Sequence, residues 1–382
     1  MPFDDLTNQS ILYYNILIRN NNTGFDEDGN PIVINNSVPL IFDEARSNYY
    51  INNPYKYYMS VVSFQVDSQS LPIFIVEPIV GSTDVTDTIY WITVTRPVGA
   101  PIHVNIKWIP DDLSVQPPAA PAPANYTNDP YYYCYSYGYF LNLINNTLQT
   151  IATGLSINAP FFTLKDGIVS LTADAANWQT DLSGNANYKL YFNTELYYLF
   201  SSLPANKQEE PLNSTTLNAN YQLLFIQNPS GLNTVPVYNN FTYPLTQAYT
   251  GIVSKCEYSP FPYWNPIDSI VFKVSHLHVV PELVTANTQY GTENATNPTN
   301  ADQYYILADF AASFIGQDTY QPNILYEPIA EYRLSDLYGR GKVNQLQITT
   351  SWKDKNGILH VMKLESGGSA SIKIMFRKKE FN

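Results

Sequence analysis

A chain of 382 residues with a formal net charge of −13 and a pI near 4.6 is too acidic to wrap nucleic acid over its whole surface. Its 32 Tyr, 18 Phe and 27 Pro, against only 14% charged residues, favour short strands broken by turns, and the length suggests about two to three structural units. Cys134 and Cys256 lack CxxC or metal-ligand spacing, which argues against a disulfide scaffold and leaves open whether the two pair.

Residues 1–10 read as an arm without the basic start and apolar core of a signal peptide. A strand is predicted at 11–18, where Leu12, Tyr14, Ile16 and Ile18 share a face. Asp26, Asp28 and Asn30 imitate a calcium loop, but Pro31 and Ser37 occupy the positions that need Gly and Glu, so a plain connection is expected. Further strands are predicted at 57–67, 71–76, 89–95 and 103–109. The Pro-rich run at 116–124 cannot pair as a central strand and reads as a linker or a crossing between subdomains.

The aromatic segment at 131–150 carries Tyr132, Tyr135, Tyr139, Leu143 and Leu148 at helical spacing, as for a helix laid across a sheet edge. A hairpin over 161–173 turns at Asp166-Gly167. A strand at 188–192 leads into a helix over 193–200, ended by Pro204. Residues 221–227 form another strand and 229–263 are mostly loop. Strands resume at 267–280 and 304–310, with a polar loop at 285–303 between them. Near the end, Leu346, Ile348, Thr350 and Trp352 share one face, and Asn356-Gly357 suits a two-residue hairpin turn. Gly367-Gly368 then reverse the chain into a last strand with Ile372, Ile374 and Phe376 on one face. These three segments are expected to be consecutive strands of one sheet, the other sheet coming from earlier residues.

Little of the sequence carries chemistry. His276 and His278 would share a face of one strand, and a metal site there would need a third ligand, for which Glu282 is the best placed. The carboxylate pairs Asp84/Asp87 and Asp111/Asp112 sit in turn-rich sequence and read as solvated turn residues rather than as a glycosidase pair. Nucleotide-binding glycine loops and a nucleophile elbow are absent, so no catalytic residue, cofactor site or metal site is assigned. No apolar run approaches the roughly 20 residues of a membrane span. A binding or structural protein is expected, not an enzyme.

Several stretches in a fixed order give this chain a family likeness. They are Phe42-Asp43-Glu44-Ala45-Arg46-Ser47; Tyr57-Tyr58-Met59-Ser60-Val61-Val62-Ser63-Phe64; and Tyr131-Tyr132-Tyr133 through Asn145. After them come Trp264-Asn265-Pro266 leading to Ser269-Ile270-Val271-Phe272, then Glu331-Tyr332-Arg333-Leu334, then Trp352, Gly357, Ser366-Gly367 and Phe376. With these the chain resembles the minor capsid, or penton, proteins of virophages and related polinton-type elements. The resemblance implies a mainly β fold: a single jelly-roll sandwich from 11–110 and 265–382, with a β-rich insertion carrying short helices at 111–264. It further implies a homopentamer at the icosahedral vertices of a double-stranded DNA virion, made in the cytoplasm of the infected host cell. Its neighbours would be trimers of a double jelly-roll major capsid protein. The basic Arg377-Lys378-Lys379 run reads as a solvated tail; on the vertex hypothesis it would face the interior and make at most a local contact with nucleic acid. The alternative is a carbohydrate-binding or adhesin sandwich that stacks host glycans on residues 131–139 or on Trp178.

Overall fold

The computed structural model describes residues 10–21, 23–25, 27–33, 37–67, 71–178, 187–207, 221–227, 251–279, 282–284, 302–311, 315–316, 319–320, 323–327 and 333–379. The principal strands are β1 (Ile11–Arg19), β2 (Ile41–Ala45), β3 (Tyr57–Asp67), β4 (Asp87–Thr95), β5 (Ile102–Lys107), β6 (Phe161–Lys165), β7 (Ile168–Asp174), β8 (Lys189–Phe192) and β9 (Gly251–Lys255). After them come β10 (Ile267–Val274), β11 (Ile306–Phe310), β12 (Asn323–Tyr326), β13 (Gln345–Asp354) and β14 (Ser369–Lys378). The helices are α1 (Tyr137–Leu155), α2 (Thr194–Leu199) and α3 (Phe261–Trp264).

The chain divides into two units. The first holds Met1–Leu71, Pro266–Gly316 and Tyr320–Asn382; the second holds Pro72–Asn265 with Gln317–Thr319. In the first unit, period-two alternation creates sheets with one apolar face. β1 shows it plainly: Leu12 and Ile16 are buried while Ile11, Tyr13 and Leu17 are exposed. One antiparallel sheet runs β1-β14-β3-β12, with Ser335–Asp336 also on β3; the other runs β2-β13-β10-β11, with Leu359–Val361 also on β13. Every step along the sandwich strands changes sheet except that from β10 to β11. The facing sides meet through Phe42 and Phe310 of the second sheet, whose ring centroids lie 6.4 and 6.2 Å from Phe64 of the first, and through Phe272 at 4.9 Å. All four rings are buried, so this aromatic cluster is the centre of the sandwich core.

The second unit is built from two further antiparallel sheets and α1. One sheet contains β8-β4-β5 with Tyr221–Leu223 and Ala205–Lys207; the other runs β6-β7-β9 and then Ile226–Gln227. Helix α1 begins where the Ser136 side chain accepts a hydrogen bond from the Tyr139 amide, and it ends where Ser156 adopts a left-handed conformation. Its buried face includes Phe140, Leu141, Ile144 and Leu148. Asn145, buried on that face, fixes the helix to β6: its side-chain amide donates to the Phe162 carbonyl at 3.0 Å and accepts from the Phe162 amide at 2.6 Å. A second aromatic core gathers around Trp264, with Phe74, Tyr137, Phe140, Phe200 and Phe261 at centroid distances of 5.3–5.6 Å.

The structure corrects the sequence reading at several points. The first division of the chain falls after Leu71 and not at residue 110, because β4 pairs with β5 on one side and with β8 on the other. The Pro-rich run at 116–124 lies within the second unit, and both backbone groups of buried Ala122 are bonded, to Ser82 and Gly81. The predicted strand at 71–76 reduces to Phe74–Ile75, paired with Tyr133–Cys134. The strand expected over 267–280 stops at Val274.

β9 forms within the stretch expected to be mostly loop. β14 does not extend the sheet of β13 but crosses to pair with β1 and β3. The turn before Leu359 spans 354–358, with only Gly357 at positive φ (85°). Its organiser is the buried Asp354, whose Oδ1 accepts from the amides of Asn356 and Ile358, each at 2.8 Å. Oδ2 of the same carboxylate meets His360 Nε2 at 3.0 Å, and the imidazole stacks on Trp352 at 3.9 Å. Residues 1–9, 228–250 and 285–301 lie outside the described residues, as does the arm expected there.

Candidate interaction surface

Most of the predicted chemical candidates turn out to be braces. Lys107 joins both carboxylates of the Asp84/Asp87 pair, and with the Thr86 hydrogen bonds it holds Asp84 far below the usual carboxylate range. Asp111 accepts from the Tyr135 amide at 2.9 Å, and burial raises its carboxyl pKa. Asp112 caps the Ser114 turn instead of facing its neighbour across a cleft. His103 shares a 2.8 Å hydrogen bond with the Thr93 hydroxyl. Asp28 and Asn30 lie in an exposed turn, and Asp26 is outside the described residues.

His276 and His278 are exposed in the bend beyond β10, on either side of buried Leu277. The side chain of Glu282 is outside the described residues. Among the described residues no group of three His, Cys, Asp or Glu could hold a metal. Cys134 and Cys256 are both buried, free thiols. Burial pushes the Cys256 thiol up to about 11 and the Cys134 thiol higher still, so both stay protonated and unreactive at neutral pH.

Most of the aromatic residues anticipated for sugar stacking are core, with Tyr135 and Tyr139 half-buried. Tyr131, Tyr132, Tyr133 and Tyr137 are buried, and Trp178 is enclosed with its indole N–H donating to the Asn158 carbonyl at 2.8 Å. The basic tail is partly tied down as well. Lys379 pairs with Asp336, its ammonium also donates to the carbonyls of Tyr55 at 2.8 Å and Leu337 at 3.1 Å, and its side chain is only 13% exposed.

Two exposed surfaces stand out among the described residues, and neither was legible in the sequence. On the outer face of β1, Ile11, Tyr13 and Leu17 are 38%, 57% and 72% exposed. β14 lies alongside and contributes Lys373, whose ammonium sits 5.3 Å from the Tyr13 ring centroid, and exposed Arg377 opposite Ile11. Across the same sheet, Ser371 pairs with Leu17 and with Gln65, and Gln65 pairs with the exposed Leu325. An apolar row flanked by cations thus runs over the outer face. The second surface is in the other unit, where Tyr198, Tyr258 and Tyr263 are exposed. Tyr258 and Tyr263 lie 6.2 Å apart, and Tyr198 lies 6.5 Å from a Tyr197–Tyr221 stack.

Two aromatic cores, carboxylates held in turns and apolar side chains left in the open put the weight of this fold on its surfaces. The chain belongs to the family described as Sputnik minor capsid protein V18/19, which it matches over residues 12–378. It is 30% identical over 175 residues to the uncharacterized protein V18 of Sputnik virophage, spanning 42% of this chain and 95% of that protein. Its fold matches a chain in the cryo-EM structure of the Sputnik virophage, with a TM-score of 0.73, 22% identity and coverage of 97% and 98% of the two chains. It also matches the mavirus penton protein, with a TM-score of 0.62, 17% identity and coverage of 97% and 100%. No helix of the described residues is long and apolar enough to cross a membrane.

Proposed function

We propose that this minor capsid protein is the penton of an icosahedral double-stranded DNA virus: a homopentamer at each vertex, seated among trimers of a double jelly-roll major capsid protein, with no catalytic role. The observation that carries the reading is the match to a minor capsid family along residues 12–378. Its likeness in fold to the mavirus penton protein supports it. The strand order supports a single jelly roll: numbered along the chain, the eight sandwich strands lie as 1-8-3-6 in one sheet and 2-7-4-5 in the other. Production in the host cytoplasm and residence in the virion follow from the same reading.

A five-fold ring is closed by a heterologous contact, so each copy offers two different patches. The outer face of β1 is one of them in this proposal. Its apolar row would be covered by the neighbouring copy, and Lys373 and Arg377 would meet a chain whose net charge is −13. The native mass by light scattering should be five times the 43.2 kDa chain. Leu17→Lys buries a charge in that contact and is expected to weaken assembly by about tenfold or more, with the melting temperature of the isolated chain unchanged. A pentamer of undiminished stability in the variant would remove β1 from the ring contact. A monomer that stays monomeric when mixed with the major capsid protein would overturn the vertex reading itself.

The exposed tyrosines favour a second role at the vertex, attachment to host glycans, since Tyr offers a broad apolar ring at little entropic cost together with a polar tip. Glycan-array binding that is lost in Tyr263→Ala is the expected result. An array without signal would leave the tyrosines to protein contacts.

A further inference from the structure

Within the first unit, the bend after β10 and the loop before β13 enclose a cleft of about 190 Å³. That is well below the roughly 300–1,000 Å³ of pockets that take cofactor-sized molecules. Its lining carries one cation and no acid. His276, His278 and Lys342 contribute to it beside the amide side chain of Asn344, and no Asp or Glu lines it, in a chain whose net charge is −13. The loop reads Gly339-Arg340-Gly341-Lys342, and its four backbone amides make no hydrogen bond among the described residues.

Both glycines have a spatial reason. A Cβ on Gly339 would lie 2.5 Å from His278 Cδ2, so only glycine lets the loop close on the imidazole. A Cβ on Gly341 would meet nothing within 4 Å, which keeps that side of the loop open. Lys342 is held in place with its ammonium 4.3 Å from the Tyr49 ring centroid. A lysine, two imidazoles and a side-chain amide on one small concavity, with no acid beside them, form a donor set that suits an oxyanion.

We propose that this cleft binds a phosphate-type oxyanion. The small volume and the acidic chain around it favour a free ion over the backbone of a nucleic acid, whose approach the net charge opposes. The proposal stands apart from the vertex reading, because it rests on the donors of one chain.

The test is calorimetric titration of the full chain with inorganic phosphate at fixed ionic strength. Saturable binding of one phosphate per chain is expected. Two variants should weaken it by about tenfold or more, the loss of roughly one charge-assisted hydrogen bond. Lys342→Ala removes a cation at the surface. Gly341→Asp places a carboxylate in open space without a clash, so the fold is kept even if the first variant loosens the loop. Absence of saturable heat, or unchanged affinity in both variants, overturns the site. A short DNA duplex that displaces the phosphate would overturn the preference for a free ion, and failure to displace it would support that preference.

Discussion

Replacing Phe64 with Ala should cost the sandwich about 3–5 kcal/mol, the range for deleting a fully enclosed aromatic ring. Phe64 sits on β3 with no exposed surface. Its ring is the meeting point of both sheets: edge-on to Phe272 at 4.9 Å, with Phe42 and Phe310 just beyond 6 Å. Removing it opens a void that neither sheet can fill, because sheet separation is set by all the other side chains between them, at about 10 Å. Phe64→Leu retains most of the volume and should cost far less. The measurement is the urea midpoint followed by circular dichroism. An Ala variant with the parent midpoint would mean that the facing rings do not pack.

Trp264→Ala is expected to be as damaging to the second unit, again by about 3–5 kcal/mol. Five aromatic rings surround the indole, and its N–H donates to the Leu199 carbonyl at 2.6 Å. That carbonyl belongs to the last turn of α2 and has no partner within the helix. Trp264→Phe separates the two contributions: it keeps an aromatic ring but strands the carbonyl, for an expected loss of about 1–3 kcal/mol. Thermal melting of the three proteins should therefore rank parent, Phe and Ala in descending order. Equal melting of the Phe and Ala variants would assign the whole effect to the hydrogen bond.

What could be read from the sequence was local. Alternation located β3 over 57–67, and Asp166-Gly167 marked the hairpin of β6 and β7, where both residues take positive φ. Alternation identifies a face but not a sheet, which is why β14 was assigned beside β13 when it lies between β1 and β3. Asn356-Gly357 suggested a tight turn because the carboxylate that shapes the longer one, Asp354, acts only once buried. The paired reading of His276 and His278 presumed a strand that in fact stops at Val274. The surfaces were harder still. The cleft draws on residues 54, 276–278, 337, 339 and 341–345, and the open tyrosines are distinguished from the enclosed ones by exposure alone. Neither property exists until distant segments are brought together.

The place of β14 also orders events during synthesis. It pairs with β1 through Ile11↔Arg377 and with β3 through Phe64↔Ile372, so each partner waits more than three hundred residues for its neighbour. At a translation rate of about 5–20 residues per second, β1 and β3 leave the ribosome tens of seconds before the strand that joins them. Contacts this distant in sequence make closure slow and leave edges exposed to other nascent chains. The same delay acts as a filter: a chain terminated before β14 lacks the strand that unites the sheet and presents no finished sandwich to an assembling shell.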